Sequence, residues 1–158
     1  MKAIRVEQVY RLHGTATDSI PEDTSLEYVV GRFAREPSLR GVFLVDSRQR
    51  LSGVLTRADL MKWAHLQLFG GKGRHDIAIS DFFRIIDAKK AKGLVTTDPR
   101  SIAVKESDNL QTALDKMLDY EEDVLPVVDK DFRILGDLRL SEVLLKVIEA
   151  GKQASNSE

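Results

Sequence analysis

The chain has 158 residues, of which 42% are apolar and 31% charged, as is typical of a folded globular protein with one domain or two very small ones. It carries 24 Lys and Arg against 25 Asp and Glu, so its net charge is −1. A basic excess of the kind expected in nucleic-acid-binding proteins is missing, which argues against that class. The lack of cysteine excludes disulfides, thiolate metal sites and cysteine nucleophiles.

The N-terminal segment MKAIRVEQVYR mixes charged and apolar residues and lacks the apolar core of a signal peptide. No apolar run approaches the roughly 18 residues that a transmembrane helix needs. These features predict a cytoplasmic protein with no membrane partner.

An internal repeat organises the sequence. The first copy begins at Ser19 and the second at Ala103, an offset of 84 residues that becomes 83 after a deletion near Pro37. Asp46 then aligns with Asp129. A repeat of this kind indicates two copies of one structural unit.

Each copy predicts the same elements in the same order. A short strand comes first, and an amphipathic helix follows at a capping box, Thr24 to Glu27 or Asp108 to Gln111. A buried strand (GVFLVD or VLPVVD), a polar turn and a second strand (LSGVLT or ILGDLR) come next. A last helix closes each copy. In the second copy its predicted buried residues are Val143, Leu144, Val147 and Ile148.

The predicted fold is mixed α+β, with two strand–helix–strand–strand–helix repeats packed with pseudo-twofold symmetry. One copy has fewer than about 60 residues and is too small to bury a good core alone, so we expect the two to share one. The predicted boundaries are 6–69 for repeat 1, 70–92 for a linker with a short helix, and 93–150 for repeat 2. Residues 151–158 have no apolar anchor and are predicted to be a disordered tail.

The repeat resembles the CBS domain, the module named after cystathionine β-synthase. The resemblance rests on VLPVVD at Val124–Asp129 with its echo GVFLVD, on GVLTRAD at Gly53–Asp59 with its echo GDLRLSE, and on the tandem order of elements. It implies a regulatory ligand-binding module and not an enzyme. It also implies a bound adenine ligand such as AMP, ADP, ATP or S-adenosylmethionine, a homodimer of modules, and an unidentified effector protein.

Gly53, Thr56 and Asp59 form the first candidate site. Gly53 lets a strand bend or approach a ligand closely, and Thr56 and Asp59 stand together at the start of the last helix of repeat 1. A helix N-terminus favours anions. The resemblance implies that Thr56 binds phosphate and Asp59 binds ribose. The alternative is structural, because Thr-x-x-Asp is also an acidic capping box.

The second copy departs from this pattern. Arg139 stands in place of Thr56, Glu142 in place of Asp59, and Asp137 in place of an apolar strand residue. A longer Glu can still accept from ribose, and Arg139 can supply charge to a phosphate. The alternative, which we favour, is that the second site has lost its nucleotide function. Arg139 reaching toward a polyphosphate in the first cleft is a further possibility.

The resemblance also implies an apolar slot for adenine. Ser19, Ile20, Val42 and Phe43 would line the first cleft, and Ala103, Val104, Leu125 and Pro126 the second. The alternative for each apolar member is ordinary core packing.

Other patterns are weaker. The segment Gly70–His75 is interpreted as a flexible linker or, alternatively, as a basic loop that closes over a phosphate tail. The histidines are dispersed, so no metal site is predicted. Two functions therefore remain open: a sensor of an adenine nucleotide or S-adenosylmethionine, and a dimerisation or protein-interaction module without a ligand.

Overall fold

In the computed structural model, which describes residues 3–10, 19–70 and 79–157, the chain divides into two compact units. The first unit contains residues 19–70 and 79–99, and the second contains residues 3–10 and 100–157. Each unit has one three-stranded sheet together with helices, so the predicted mixed α+β class is confirmed. Within the described ranges, no helix has the length and apolar composition needed to cross a membrane.

The elements follow the repeat. In chain order they are α1 (Glu7–Tyr10), β1 (Ser19–Pro21), α2 (Leu26–Arg35), β2 (Gly41–Val45), β3 (Leu51–Thr56), α3 (Arg57–Phe69), α4 (Ile79–Ile86), a 3-10 helix (Ala91–Leu94), α5 (Pro99–Ile102), β4 (Val104–Lys105), α6 (Leu110–Tyr120), β5 (Val124–Val128), β6 (Ile134–Arg139) and α7 (Leu140–Ser155).

The two sheets have the same topology. In the first unit β1 pairs parallel with β2, and β2 pairs antiparallel with β3. In the second unit β4, β5 and β6 pair in the same way. Each sheet has an irregularity at the equivalent place, between Leu44 and Val45 and between Val127 and Val128.

The core of the first unit forms where the apolar face of the sheet meets α2, α3 and the segment from α4 to the 3-10 helix. Its buried members are Ile20, Leu26, Val29, Val42, Leu44, Leu55, Leu66, Ile85, Ala91 and Leu94. The apolar spacing along α2 places its buried residues on one face, as the repeat predicts.

The first helix of each repeat begins one residue later than the predicted capping boxes imply. The Ser25 side chain caps α2 by accepting from the Tyr28 N–H, and Asn109 caps α6 by accepting from the Thr112 N–H. Thr24 instead donates to the Pro21 carbonyl at 2.7 Å. The local pattern thus predicts the helix start to within one residue.

The segment that precedes each repeat belongs to the unit of the other repeat. Residues 4–6 bond to the second repeat, where Leu110 N–H donates to the Ile4 carbonyl at 2.9 Å. Residues 89–91 bond to the first repeat, where Leu26 N–H donates to the Lys89 carbonyl at 2.9 Å. The units therefore differ from the predicted boundaries: most of the linker packs with repeat 1, and α1 packs with repeat 2.

Helix α7 differs from its prediction in two ways. It continues to Ser155, so residues 151–155 are helical and the predicted disordered tail is wrong for them. Lys152, Gln153 and Ala154 favour helix, which allows the helix to extend beyond its packed part. Of the four apolar residues predicted to be buried, only Val143 is, whereas Leu144, Val147 and Ile148 are each more than half exposed. Leu145, for which no burial was predicted, is exposed to the same extent.

Candidate functional site

Thr56 and Asp59 form a complete capping box at the start of α3. The Thr56 N–H donates to Asp59 Oδ2 at 2.9 Å, and the Asp59 N–H donates to Thr56 Oγ1 at 3.2 Å. The Thr56 hydroxyl also donates to Asp59 Oδ2 at 3.0 Å. The two side chains are thus brought together as the spacing predicts, and the capping alternative is realised in the structure.

The site is buried. Thr56 is 8% exposed and Asp59 is 5% exposed. A buried carboxylate is costly unless it is hydrogen-bonded, and Asp59 accepts from both the backbone N–H and the hydroxyl of Thr56. The helix N-terminus stabilises the negative charge further.

A second residue, Thr96, also holds Asp59. Its hydroxyl donates to Asp59 Oδ1 at 2.8 Å from a position 37 residues along the chain. Thr96 lies in the segment between the 3-10 helix and α5. Thr96 could not be predicted from the sequence, because no spacing rule links it to the motif of repeat 1.

Gly53, in β3, leaves space for Val95, the neighbour of Thr96. A β-carbon at position 53 would lie 2.8 Å from Cγ2 of Val95, the residue before Thr96. Gly53 is opposite Leu44 in the sheet, on the face that carries the core. The close approach predicted for Gly53 is therefore an approach by the chain's own Val95.

The residues predicted for the adenine slot lie on the two faces of the sheet. Ile20 and Val42 belong to the core cluster, which favours the core-packing alternative for both. Ser19 is opposite Phe43, and paired residues share a face. Phe43 is 4% exposed and outside that core cluster, and the Ser19 side of the strand is exposed.

Thr56 is paired with Gly41, and Gly41 lies two residues before Phe43 in β2. Because side chains alternate between the faces of a strand, Thr56 lies on the same face of the sheet as Phe43. The sheet thus brings Ser19, Phe43 and Thr56 to one face and places Ile20, Val42 and Gly53 on the other. Three of the six predicted residues that lie in this sheet therefore share a face.

The equivalent position of the second repeat has different chemistry. Arg139 Nε contacts Asp137 Oδ2 at 3.2 Å, and the Arg139 N–H donates to Glu142 Oε2 at 3.3 Å. Asp137 is 7% exposed and Glu142 is 6% exposed. No hydroxyl is available at position 139, so the group that would donate to a phosphate in repeat 1 has no counterpart there.

The predicted adenine slot of the second repeat is also altered. The Lys116 ammonium donates to the Ala103 carbonyl at 2.6 Å. Val104 and Leu125 are fully buried, and Pro126 is buried as well. A backbone acceptor at the entrance to β4 is therefore already bonded by the chain itself.

The basic loop hypothesis falls largely outside the described residues. Gly70 ends α3 in the left-handed conformation, with φ of 61°. Residues 71–75 of the Gly70–His75 segment lie beyond the ranges that the structure describes.

Comparison with known proteins agrees with the fold. The sequence model of the CBS domain family matches residues 15–66 and 85–149, more than half of the chain. The CBS domain-containing protein CBSX2, chloroplastic, from Arabidopsis thaliana is 26% identical over 150 residues, with 85% of this chain and 58% of that protein covered. The chain thus spans 58% of the length of the curated relative that it matches.

Solved structures show the same architecture. A CBS domain-containing protein from Thermotoga maritima, tm0935, has a TM-score of 0.73 and 27% identity, covering 94% of this chain and 97% of that chain. CBSX2 in complex with AMP has a TM-score of 0.66 and 21% identity, covering 94% and 98%. The CBS domain pair of MJ0100, in complex with 5′-methylthioadenosine and S-adenosyl-L-methionine, has a TM-score of 0.63 and 16% identity, covering 96% and 99%.

The family match, the duplicated sheets and the predicted resemblance therefore agree. The chain belongs to the CBS domain family and contains a tandem pair of its domains.

Proposed function

We propose that the chain is a regulatory module that binds one adenine nucleotide at its first repeat. The observation that carries this proposal is the pair Thr56 and Asp59, a hydroxyl and a buried carboxylate held together at the N-terminus of α3. A hydroxyl there can donate to a phosphate oxygen, and the carboxylate can accept from ribose hydroxyls. The AMP complex of the related CBSX2 supports this ligand class.

One ligand per chain follows from the difference between the repeats. At position 139 the second repeat has a guanidinium that forms an ion pair with Asp137. The carboxylates of Asp137 and Glu142 are both buried and lie within a few residues of each other. Their negative charge opposes the entry of a phosphate. The hydrogen bond from Lys116 to the Ala103 carbonyl also uses a backbone acceptor of the predicted second adenine slot.

Ligand binding would act by selecting one arrangement of the chain over another. A ligand shifts such an equilibrium only by its difference in affinity for the two arrangements. Asp59 accepts a hydrogen bond from Thr96, which lies four residues before Arg100, where the second unit begins. A ligand that binds Asp59 would therefore act on the segment that connects the two units. The effector that reads the change would be a partner protein.

A thermal-shift screen against AMP, ADP, ATP and S-adenosylmethionine tests the proposal. A ligand at 100 times its Kd stabilises the folded chain by roughly 2.7 kcal/mol, which raises Tm by about 5–10 °C for a protein of this size. Asp59→Asn should abolish the shift, because an amide oxygen can replace only part of the carboxylate's acceptor capacity. Glu142→Gln is the matched control at the equivalent position of repeat 2 and should keep the shift.

The result that contradicts the proposal is a well-folded chain whose Tm does not respond to any of the four ligands. A shift that survives in Asp59→Asn and disappears in Glu142→Gln would place the ligand at the second repeat instead.

The second candidate function is a homodimerisation module, and the exposed face of α7 favours it. Leu144, Leu145, Val147 and Ile148 are 52%, 51%, 53% and 55% exposed, which is unusual for a continuous aliphatic surface of a monomer. A second copy of the chain would cover this face. Light scattering of Ile148→Glu should then give the monomer mass, whereas Lys152→Glu, an exposed control on the same helix, should keep the dimer. A monomeric unmodified chain would exclude this candidate.

A further inference from the structure

The Asp59 carboxylate has little acceptor capacity left. An ionised carboxylate offers about four acceptor positions on its two oxygens. Three are filled among the described residues: two on Oδ2, by the Thr56 N–H at 2.9 Å and the Thr56 hydroxyl at 3.0 Å, and one on Oδ1, by the Thr96 hydroxyl at 2.8 Å. One position on Oδ1 remains for a ligand.

A ribose presents two hydroxyls and therefore needs two positions. The Thr56 hydroxyl has a single hydrogen, which it gives to Asp59 Oδ2 in the ligand-free chain. If that hydrogen turns to a phosphate oxygen, a position on Oδ2 becomes free and both ribose hydroxyls can be accepted. Without a phosphate the same rotation would leave a donor unpaired at a site that is 8% exposed, which is unfavourable.

We infer that Thr96 is a positioning residue that, by occupying Asp59 Oδ1, makes recognition of the full ribose depend on a 5′-phosphate. The site then selects 5′-phosphorylated adenosine over adenosine and over nucleosides that carry a thioether or sulfonium group at the 5′ position. This inference rests on the proposed function, because it concerns the ligand of the same site.

The unmodified chain provides the first test, by isothermal titration with AMP, 2′-deoxy-AMP, adenosine and 2′-deoxyadenosine. Loss of the 2′-hydroxyl should weaken AMP binding about tenfold, since one hydrogen bond to a carboxylate is lost. The same loss should change adenosine binding by no more than about twofold, because only one hydroxyl is accepted there in either case. Equal penalties in the two pairs would overturn the inference.

Variants at position 96 provide the second test. Thr96→Val removes the hydroxyl but keeps the branched shape, and it frees a second position on Oδ1 for an unphosphorylated ribose. The preference for AMP over adenosine should fall about tenfold relative to the unmodified chain. Thr96→Ser retains the hydroxyl and should keep the original preference. An unchanged preference in Thr96→Val would show that Thr96 has only a structural role.

These outcomes separate the inference from the proposed function. If AMP binding requires Asp59 but the preference for AMP over adenosine is unchanged in Thr96→Val, the proposed function stands and the inference is overturned. If neither AMP nor adenosine binds the folded chain, both are overturned.

Discussion

Val95 occupies the space that a side chain at position 53 would need, with its Cγ2 2.8 Å from where that β-carbon would stand. Gly53 lies in β3 and Val95 follows the 3-10 helix, so the contact joins the repeat to the segment after it. The next residue, Thr96, reaches Asp59. The glycine of the repeat thus helps to place the residue that holds the candidate site.

Gly53→Ala should therefore destabilise the chain. The added methyl group must displace Val95 or β3, and overpacking of this kind costs about 1–3 kcal/mol of unfolding free energy. Urea denaturation measures the loss. Combining it with Val95→Ala removes the atoms that clash, so the double variant should lose less than the sum of the two single variants. Simple additivity would contradict the packing described for this pair.

The exchange of segments between the units predicts a crossed pattern of destabilisation. Val9 lies in α1 and is fully buried, and Leu94, in the 3-10 helix, is 1% exposed. Truncation to Ala should cost about 2–5 kcal/mol of unfolding free energy for Leu94 and less for the smaller Val9. In hydrogen exchange, Val9→Ala should reduce amide protection in β4 to β6, whereas Leu94→Ala should reduce it in β1 to β3. Loss of protection in β1 to β3 upon Val9→Ala would contradict the assignment of α1 to the second unit.

The element order of each repeat could be predicted from the sequence because apolar periodicity and duplication agree. The pairing of Thr56 with Asp59 could also be predicted, since it depends on a spacing of three residues at the start of one helix. Both are local properties of the chain.

The exchanged segments could not be predicted in the same way. Residues 4–10 and 89–95 correspond in their contacts, yet they share little beyond the apolar positions Val6 with Ala91 and Val9 with Leu94. The bond from Thr96 to Asp59 depends on this tertiary arrangement and leaves no local signal. The exposure of α7 could not be predicted either, because apolar spacing alone does not say whether a helix face is covered within the chain.

The turn between β2 and β3 contains Gln49 in the left-handed conformation, with φ of 63°. This conformation disfavours residues with a β-carbon by about 1–2 kcal/mol, so Gln49→Gly should raise the free energy of unfolding by roughly 0.5–1 kcal/mol after its entropy cost. Gln49→Val should lower it, because β-branched residues tolerate this region poorly. Denaturation midpoints measure both, and a Gly variant no more stable than the Val variant would contradict the prediction. Phe132, with φ of 64°, occupies the equivalent place in repeat 2.

Asp46 in the same turn predicts a dependence of stability on acid pH. Its carboxylate accepts from the Arg50 and Arg48 backbone N–H groups at 3.0 and 2.8 Å, and the Arg50 bond is the main cause that holds the pKa of Asp46 below its ordinary 3.8. Because the pKa of Asp46 is lower in the folded chain than in the unfolded chain, the ionised carboxylate stabilises the fold above pH 3.8. This contribution to the free energy of unfolding is lost as the pH falls through the folded-state pKa.

An NMR titration of the Asp46 carboxyl carbon measures this pKa directly. Asp46→Asn keeps an oxygen for the two N–H groups but cannot ionise, so its stability should vary less than that of the unmodified chain below pH 3.8. A midpoint for Asp46 at or above 3.8 would contradict the prediction.

The most direct test of a nucleotide site at the first repeat is isothermal titration of the full chain with AMP. We expect about one AMP per chain, a Kd weakened beyond detection in Asp59→Asn, and an unchanged Kd and stoichiometry in Glu142→Gln. Two AMP per chain would contradict the proposal of a single site. Loss of binding in Glu142→Gln with binding retained in Asp59→Asn would contradict the assignment of the site to Thr56 and Asp59.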